Sequence, residues 1–149
     1  MHSNALGRDI RQVDRLIGHY AESHRHPTNV LIHWICVPII VWCVLAMLWV
    51  IHPLLAASAA VFSLGYYLKL SWQFAIAMAA YALLCLWTLT FVPYPGWVAL
   101  VLFVVTWVFQ FIGHNIEGKK PSFLEDVQYL LVGPIFLLGK LFRRIGLGY

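Results

Sequence analysis

The sequence predicts an all-α protein: an integral membrane four-helix bundle, preceded by an amphipathic helix and followed by an interfacial or re-entrant one. Three observations carry this. Of 149 residues, 62% are hydrophobic and 11% charged, with a mean hydropathy of +0.79. A soluble domain has about 45–50% apolar and about 25% charged residues, so too little polar surface is left here to cover a water-soluble globule. Four apolar stretches each approach the ~20 residues that cross a ~30 Å hydrocarbon core. Finally, every Lys and Arg falls on one side of those four stretches. The length fits one domain over residues 1–149.

Residues 1–27 are too polar to span, and no apolar run of the signal-peptide kind follows the N-terminus. Ile10, Val13, Ile17, Tyr20 and His24 instead recur in steps of three and four, the stripe of an amphipathic helix. Arg8, Arg11, Arg15 and Glu22 lie mostly off that stripe, as expected of a helix at the membrane surface. Pro27 ends it, and Thr28 or Asn29 is placed to cap the next helix.

Spans are expected at 29–51, 53–70, 72–92 and 97–113, with turn signals at His52-Pro53 and Pro93-Tyr94-Pro95-Gly96. The junction around Lys69 and Ser71 leaves little loop. Small residues such as Ala56, Ala60, Ala75 and Ala79 give the second and third spans faces that permit close helix approach. Trp34, Trp49, Trp72 and Trp97 fall near span ends, where interfacial aromatics belong. From 122 to 145 the chain is again apolar, but Glu125-Asp126 opens the stretch and Gly133-Pro134 interrupts it. A fifth crossing would export Arg143 and Arg144, so an interfacial or re-entrant helix is expected. Cys36, Cys43 and Cys85 lie inside spans without paired spacing and read as small apolar residues.

Four spans place the N-terminal segment, Lys69 and everything after Gly113 on one face. All ten basic residues lie there and none in the two opposite turns. By the positive-inside rule that face, with both termini, is cytoplasmic, in a bacterial plasma membrane or a eukaryotic endoplasmic reticulum. The net charge of +4 is thereby a topology signal, and no nucleic-acid motif, P-loop, GxSxG or CxxC appears.

Polar groups at membrane depth are costly and point to function. One cluster is Tyr20, His24, His26, Asn29 and His33, where Tyr20/His24 and Asn29/His33 each share a helix face. A second is Trp107, Gln110, His114 and Glu117, again one face. Both lie at the cytoplasmic end of the bundle, so His24, His33 and His114 are predicted to converge. Three imidazoles suit Fe, Zn, Cu or Ni and leave coordination positions open. Gln110 and Glu117 flank His114 by one turn, as partners that fix imidazole tautomers, or with Glu117 as a fourth ligand. His2, His19 and His52 read as interfacial anchors, and His26 as either a member of the cluster or a solvent-facing side chain. Two alternatives stand beside a catalytic metal site: a haem-binding electron carrier with His33 and His114 as axial ligands, and a non-catalytic membrane protein that binds lipid or a structural metal.

The string Tyr20-x3-His24-x4-Asn29-Val-Leu-Ile-His33-x4-Pro38, followed by Trp107-x2-Gln110-Phe111-Ile112-Gly113-His114-x2-Glu117-x3-Pro121, resembles the 2-hydroxy-fatty-acid dioxygenase family over essentially the whole chain. The resemblance implies an Fe(II)-dependent membrane dioxygenase of fatty-acid α-oxidation, using O2 on a 2-hydroxy fatty acid. It places the metal ligands on His24, His33 and His114, and further site roles on Asn29 and Glu117. Gln110 and Tyr20 join them as candidate catalytic residues from their shared faces.

Overall fold

The structure is a computed structural model that describes residues 11–119 and 130–149. Residues 1–10 of the expected surface helix, Lys120, Pro121 and the 122–129 part of the expected C-terminal helix lie outside the described residues. Six helices make up the described chain: α1 (Gln12–Glu22), α2 (Pro27–Ile51), α3 (Pro53–Leu70), α4 (Trp72–Leu89), α5 (Pro95–Glu117) and α6 (Val132–Arg144), with no strand among the described residues. Helices α2 to α5 are long and apolar enough to cross a membrane. They also present large apolar side chains outward, among them Phe62 at 81% exposure and Leu83 at 68%. Helices apolar all round suit a lipid-facing bundle.

The element ends follow from local chemistry. His26-Pro27 and His52-Pro53 act alike: each His is an N-cap that accepts from the backbone N–H two residues on, at 3.2 Å from Thr28 and 3.1 Å from Leu54. Each Pro sits at the first helical position, where its missing N–H costs nothing. The cap of α2 is therefore His26, not Thr28 or Asn29, because Pro27 is the first residue of α2 and does not end α1. Ser71 alone joins α3 to α4 in an extended conformation. Gly118 ends α5 at φ 76°, a left-handed position that glycine adopts without a Cβ penalty.

Helix α2 is the hub. It packs most extensively against α5 and also touches α3, α4 and α6, while α1 lies against α6. The stripe on α1 is buried, with Val13, Ile17 and Tyr20 in one core with Phe74, Ile135 and Phe136. The partner of that stripe is thus protein, chiefly α6. In α6, Gly133-Pro134 marks the first turn and does not interrupt the helix. Its 13 residues extend only about 20 Å, too short to span, and seven of them are buried. A second core at the opposite end of the bundle holds Cys43, Leu45, Ala46, Cys85, Leu89 and Ala99. All three cysteines are buried and free.

Phe74 is fully buried, with its ring stacked on Phe142 at 5.5 Å and tilted against Tyr149 at 4.6 Å. Phe74→Ala is expected to destabilise the detergent-solubilised protein by about 3–5 kcal/mol, loosening α6 first. Thermal unfolding, with proteolysis of α6, measures this. An unchanged unfolding temperature and unchanged protection of α6 would contradict the packing.

Candidate metal centre

The three histidines come from three different places in the chain. His24 sits in the four-residue link between α1 and α2, His33 in the second turn of α2, and His114 in the last turn of α5. The antiparallel packing of α2 on α5 brings the start of one to the end of the other. All three are buried, and one nitrogen of each lies within 4.8 Å of the others. The His24 and His33 rings are 4.2 Å apart, and His114 stands 5.6 Å from each.

Two backbone carbonyls set the tautomers. His24 Nδ1 lies 2.7 Å from the Tyr20 carbonyl and His33 Nδ1 lies 2.8 Å from the Asn29 carbonyl. A carbonyl only accepts, so each Nδ1 carries the proton, and in a neutral ring Nε2 then carries the lone pair. The two Nε2 atoms face each other at 2.9 Å. Two lone pairs that close repel unless a positive centre, a proton or a metal ion, lies between them. Ligands about 2.1 Å from one ion and at right angles around it are about 3.0 Å apart, so the donor set fits a metal ion. Tyr20 holds the His24 ring by parallel stacking, with centroids 4.0 Å apart and planes 3° apart. Phe136 of α6 packs against both Tyr20 and His24.

Glu117 is turned toward the α1–α2 link. Its Oε1 accepts from the Arg25 N–H at 3.0 Å, and its Oε2 accepts from the His26 N–H at 2.8 Å and from Asn29 Nδ2 at 3.1 Å. Asn29, fully buried, also donates Nδ2 to the Ser23 carbonyl. The end of α5 is thereby tied to the segment that carries His24, with the carboxylate at the positive end of α2. Among the described residues the group with metal-ligand geometry is the three histidines, while the Glu117 carboxylate is engaged by Arg25, His26 and Asn29; the carbonyls of Tyr20 and Asn29 hold the rings of His24 and His33. Gln110 is buried one turn before His114.

Sequence reasoning missed three contributors. His26, which the sequence leaves open between the cluster and solvent, is the cap of α2. Gly113 lets α5 approach Asn29: a Cβ there would overlap Asn29 Oδ1. Gly133 lets α6 approach Tyr20, whose hydroxyl would be 3.2 Å from a Cβ at that position. Periodicity carries no signal for these, since a glycine inside an apolar run has no pattern of its own.

The model of the family described as Mpo1-like, 2-hydroxy-palmitic acid dioxygenase Mpo1-like, matches residues 10–145. Among curated proteins, the 2-hydroxy-palmitic acid dioxygenase MPO1 of Saccharomyces cerevisiae is 29% identical over 152 aligned residues, covering 95% of this chain and 86% of that protein. No solved structure matches. With the family model spanning nearly all of the chain, from α1 to the end of α6, the protein belongs to the Mpo1-like family of 2-hydroxy-palmitic acid dioxygenase relatives.

Proposed function

We propose that the protein is an Fe(II)-dependent membrane dioxygenase that cleaves a 2-hydroxy fatty acid between carbons one and two, releasing a fatty acid one carbon shorter. With one O2 consumed, the remaining atoms balance as carbon dioxide and water. The observation that carries this reading is the set of three buried imidazoles with one ring nitrogen of each within 4.8 Å of the others. The yeast relative, by its name, acts on 2-hydroxy-palmitic acid, which supports the substrate class.

His24, His33 and His114 would hold the metal. When bound, Fe(II) supplies open coordination positions and the electrons that activate oxygen. Three neutral ligands leave the charge of the ion uncompensated, which favours a substrate that brings a carboxylate. The chain's own residues do the rest. Nδ1–H groups held by helix carbonyls keep the His24 and His33 rings in register, Tyr20 and Phe136 pack against the His24 ring, and Asn29 with Glu117 fastens the link that carries His24. Gln110 is placed to orient His114 or substrate from the neighbouring turn. The acyl chain stays in lipid, where each buried methylene is worth about 0.8 kcal/mol, and the site faces the cytoplasm with both termini.

The deciding measurement is elemental analysis of anaerobically purified protein combined with oxygen uptake on 2-hydroxypalmitate. Close to one iron per chain is expected, with oxygen consumption that requires the 2-hydroxyl and yields the shortened acid. A Soret band would establish haem instead, and iron-loaded protein that leaves 2-hydroxypalmitate intact would overturn the assignment.

A further inference from the structure

A polar cleft of about 480 Å³ opens between α1 and α6, lined by Gly18, Ala21, His24, Phe136, Lys140 and Arg143 among others. His24 is therefore both part of the candidate metal centre and part of the cleft wall. Two acids and a further base, Asp14, Glu22 and Arg25, also face the cleft. Asp14 pairs with Arg11 Nε at 2.8 Å, and Glu22 lies 3.5 Å from His19 Nδ1. Arg25, Lys140 and Arg143 form no ion pair among the described residues. Arg143 donates to the Tyr149 hydroxyl and fixes the outer rim. Lys140 stands one turn beyond Phe136 on α6, its Nζ 5.2 Å from the centre of the Phe136 ring, and that ring is 5.8 Å from His24. The Phe136 ring thus lies between the ammonium and His24, and Lys140 carries its charge on a flexible four-carbon stem that can reach into the cleft.

We propose that this cleft receives the carboxylate of the fatty acid, with Lys140 as the positioning residue and Arg143 at the rim. The protein then takes free acids and refuses their esters and thioesters. This rests on the dioxygenase reading for the identity of the substrate. The carboxylate would pair with the Lys140 ammonium inside the cleft, on the side of the site that the His24 ring closes. Esterification removes the charge that Lys140 reads. The neighbouring Arg144 does not line the cleft, which separates a specific contact from general attraction of acids to a basic helix end. Nothing lies within 4 Å of a Cβ added at Gly18, so a larger side chain there fills the cleft without disturbing a packed neighbour.

The test is equilibrium binding of palmitate, 2-hydroxypalmitate and methyl palmitate to the purified full-length protein in neutral detergent. It is run anaerobically so that no turnover intervenes, and paired with aerobic kinetics. Lys140→Gln is expected to weaken binding of both acids about tenfold, the worth of one charge-assisted hydrogen bond, and to leave the methyl ester unaffected. Lys140→Arg restores most of the loss, Arg144→Gln changes nothing, and Gly18→Leu weakens acid binding without a change of charge. In turnover, the Lys140→Gln effect falls on KM, with kcat nearly constant. Equal effects of Lys140→Gln and Arg144→Gln, whether both weaken binding or neither does, would overturn the proposal and assign these bases to anionic lipid. Palmitate binding that depends on Lys140, in a protein that does not turn over 2-hydroxypalmitate, would uphold the cleft and overturn the dioxygenase reading. Turnover insensitive to Lys140 would do the reverse.

Discussion

His33→Ala is expected to lose the metal and oxygen-dependent turnover together. Its Nε2 is the atom 2.9 Å from His24 Nε2, so its removal leaves two imidazoles from separate segments without the member that joins them. Disturbing only an outer-shell partner of a metal ligand typically costs 10–100-fold, so loss of the ligand itself should exceed about 100-fold. The fold should survive, because His33 lies in the long, uniformly apolar α2, whose packing against α5 does not depend on one imidazole. Metal-to-protein ratio, turnover and helical circular dichroism on one sample distinguish loss of the site from loss of the fold. His26→Ala supplies the contrast. It removes the cap of α2 at about 0.5–2 kcal/mol, and the metal content should be kept. A His33→Ala protein that retains both its metal and its turnover would remove the basis of the site.

The convergence of His24, His33 and His114 was legible because each shares a helical face with a second uncommon polar residue, and because the one-sided distribution of Lys and Arg sets both helix ends on the same side. The four long helices were legible for the same reason that they are apolar all round: such sequences have few other stable arrangements. What Glu117 touches was not legible. Spacing on α5 gives the face it occupies, whereas its partners are backbone N–H groups of Arg25 and His26, contributed by a link roughly ninety residues earlier in the chain. The same limit applies to α1. A stripe of Val13, Ile17 and Tyr20 fits lipid and protein equally well, and only the docking of α6 decides in favour of protein. Gly133-Pro134 carries the same ambiguity, because a Pro in the first turn starts a helix and a Pro in the interior breaks one.

Gly113→Ala is the other substitution expected to have a large effect, although it adds one methyl group and touches no ligand. The added Cβ would overlap Asn29 Oδ1 and lie 3.3 Å from Asn29 Cγ, with Ile32 Cδ1 3.5 Å away. Asn29 is fully buried and already bonded to the Ser23 carbonyl and Glu117, so it has nowhere to move without giving up those bonds. Either α2 and α5 separate or the amide leaves its partners. Overpacking of this kind costs about 1–3 kcal/mol, and a buried amide left unsatisfied costs about 1–3 kcal/mol more. The effect on activity should be the larger one, because His114 is the next residue on α5 and His33 is one turn from Asn29 on α2. If the two histidines hold a metal as proposed, displacing them relative to each other by about 1 Å is enough for about a 100-fold loss. A double-mutant cycle tests the cause. In an Asn29→Ala background the overlap is gone, so Gly113→Ala should add little to the loss that Asn29→Ala already produces. If the two losses instead simply add, the close approach of α5 to Asn29 is not what holds the histidines together, and the role assigned to Gly113 fails.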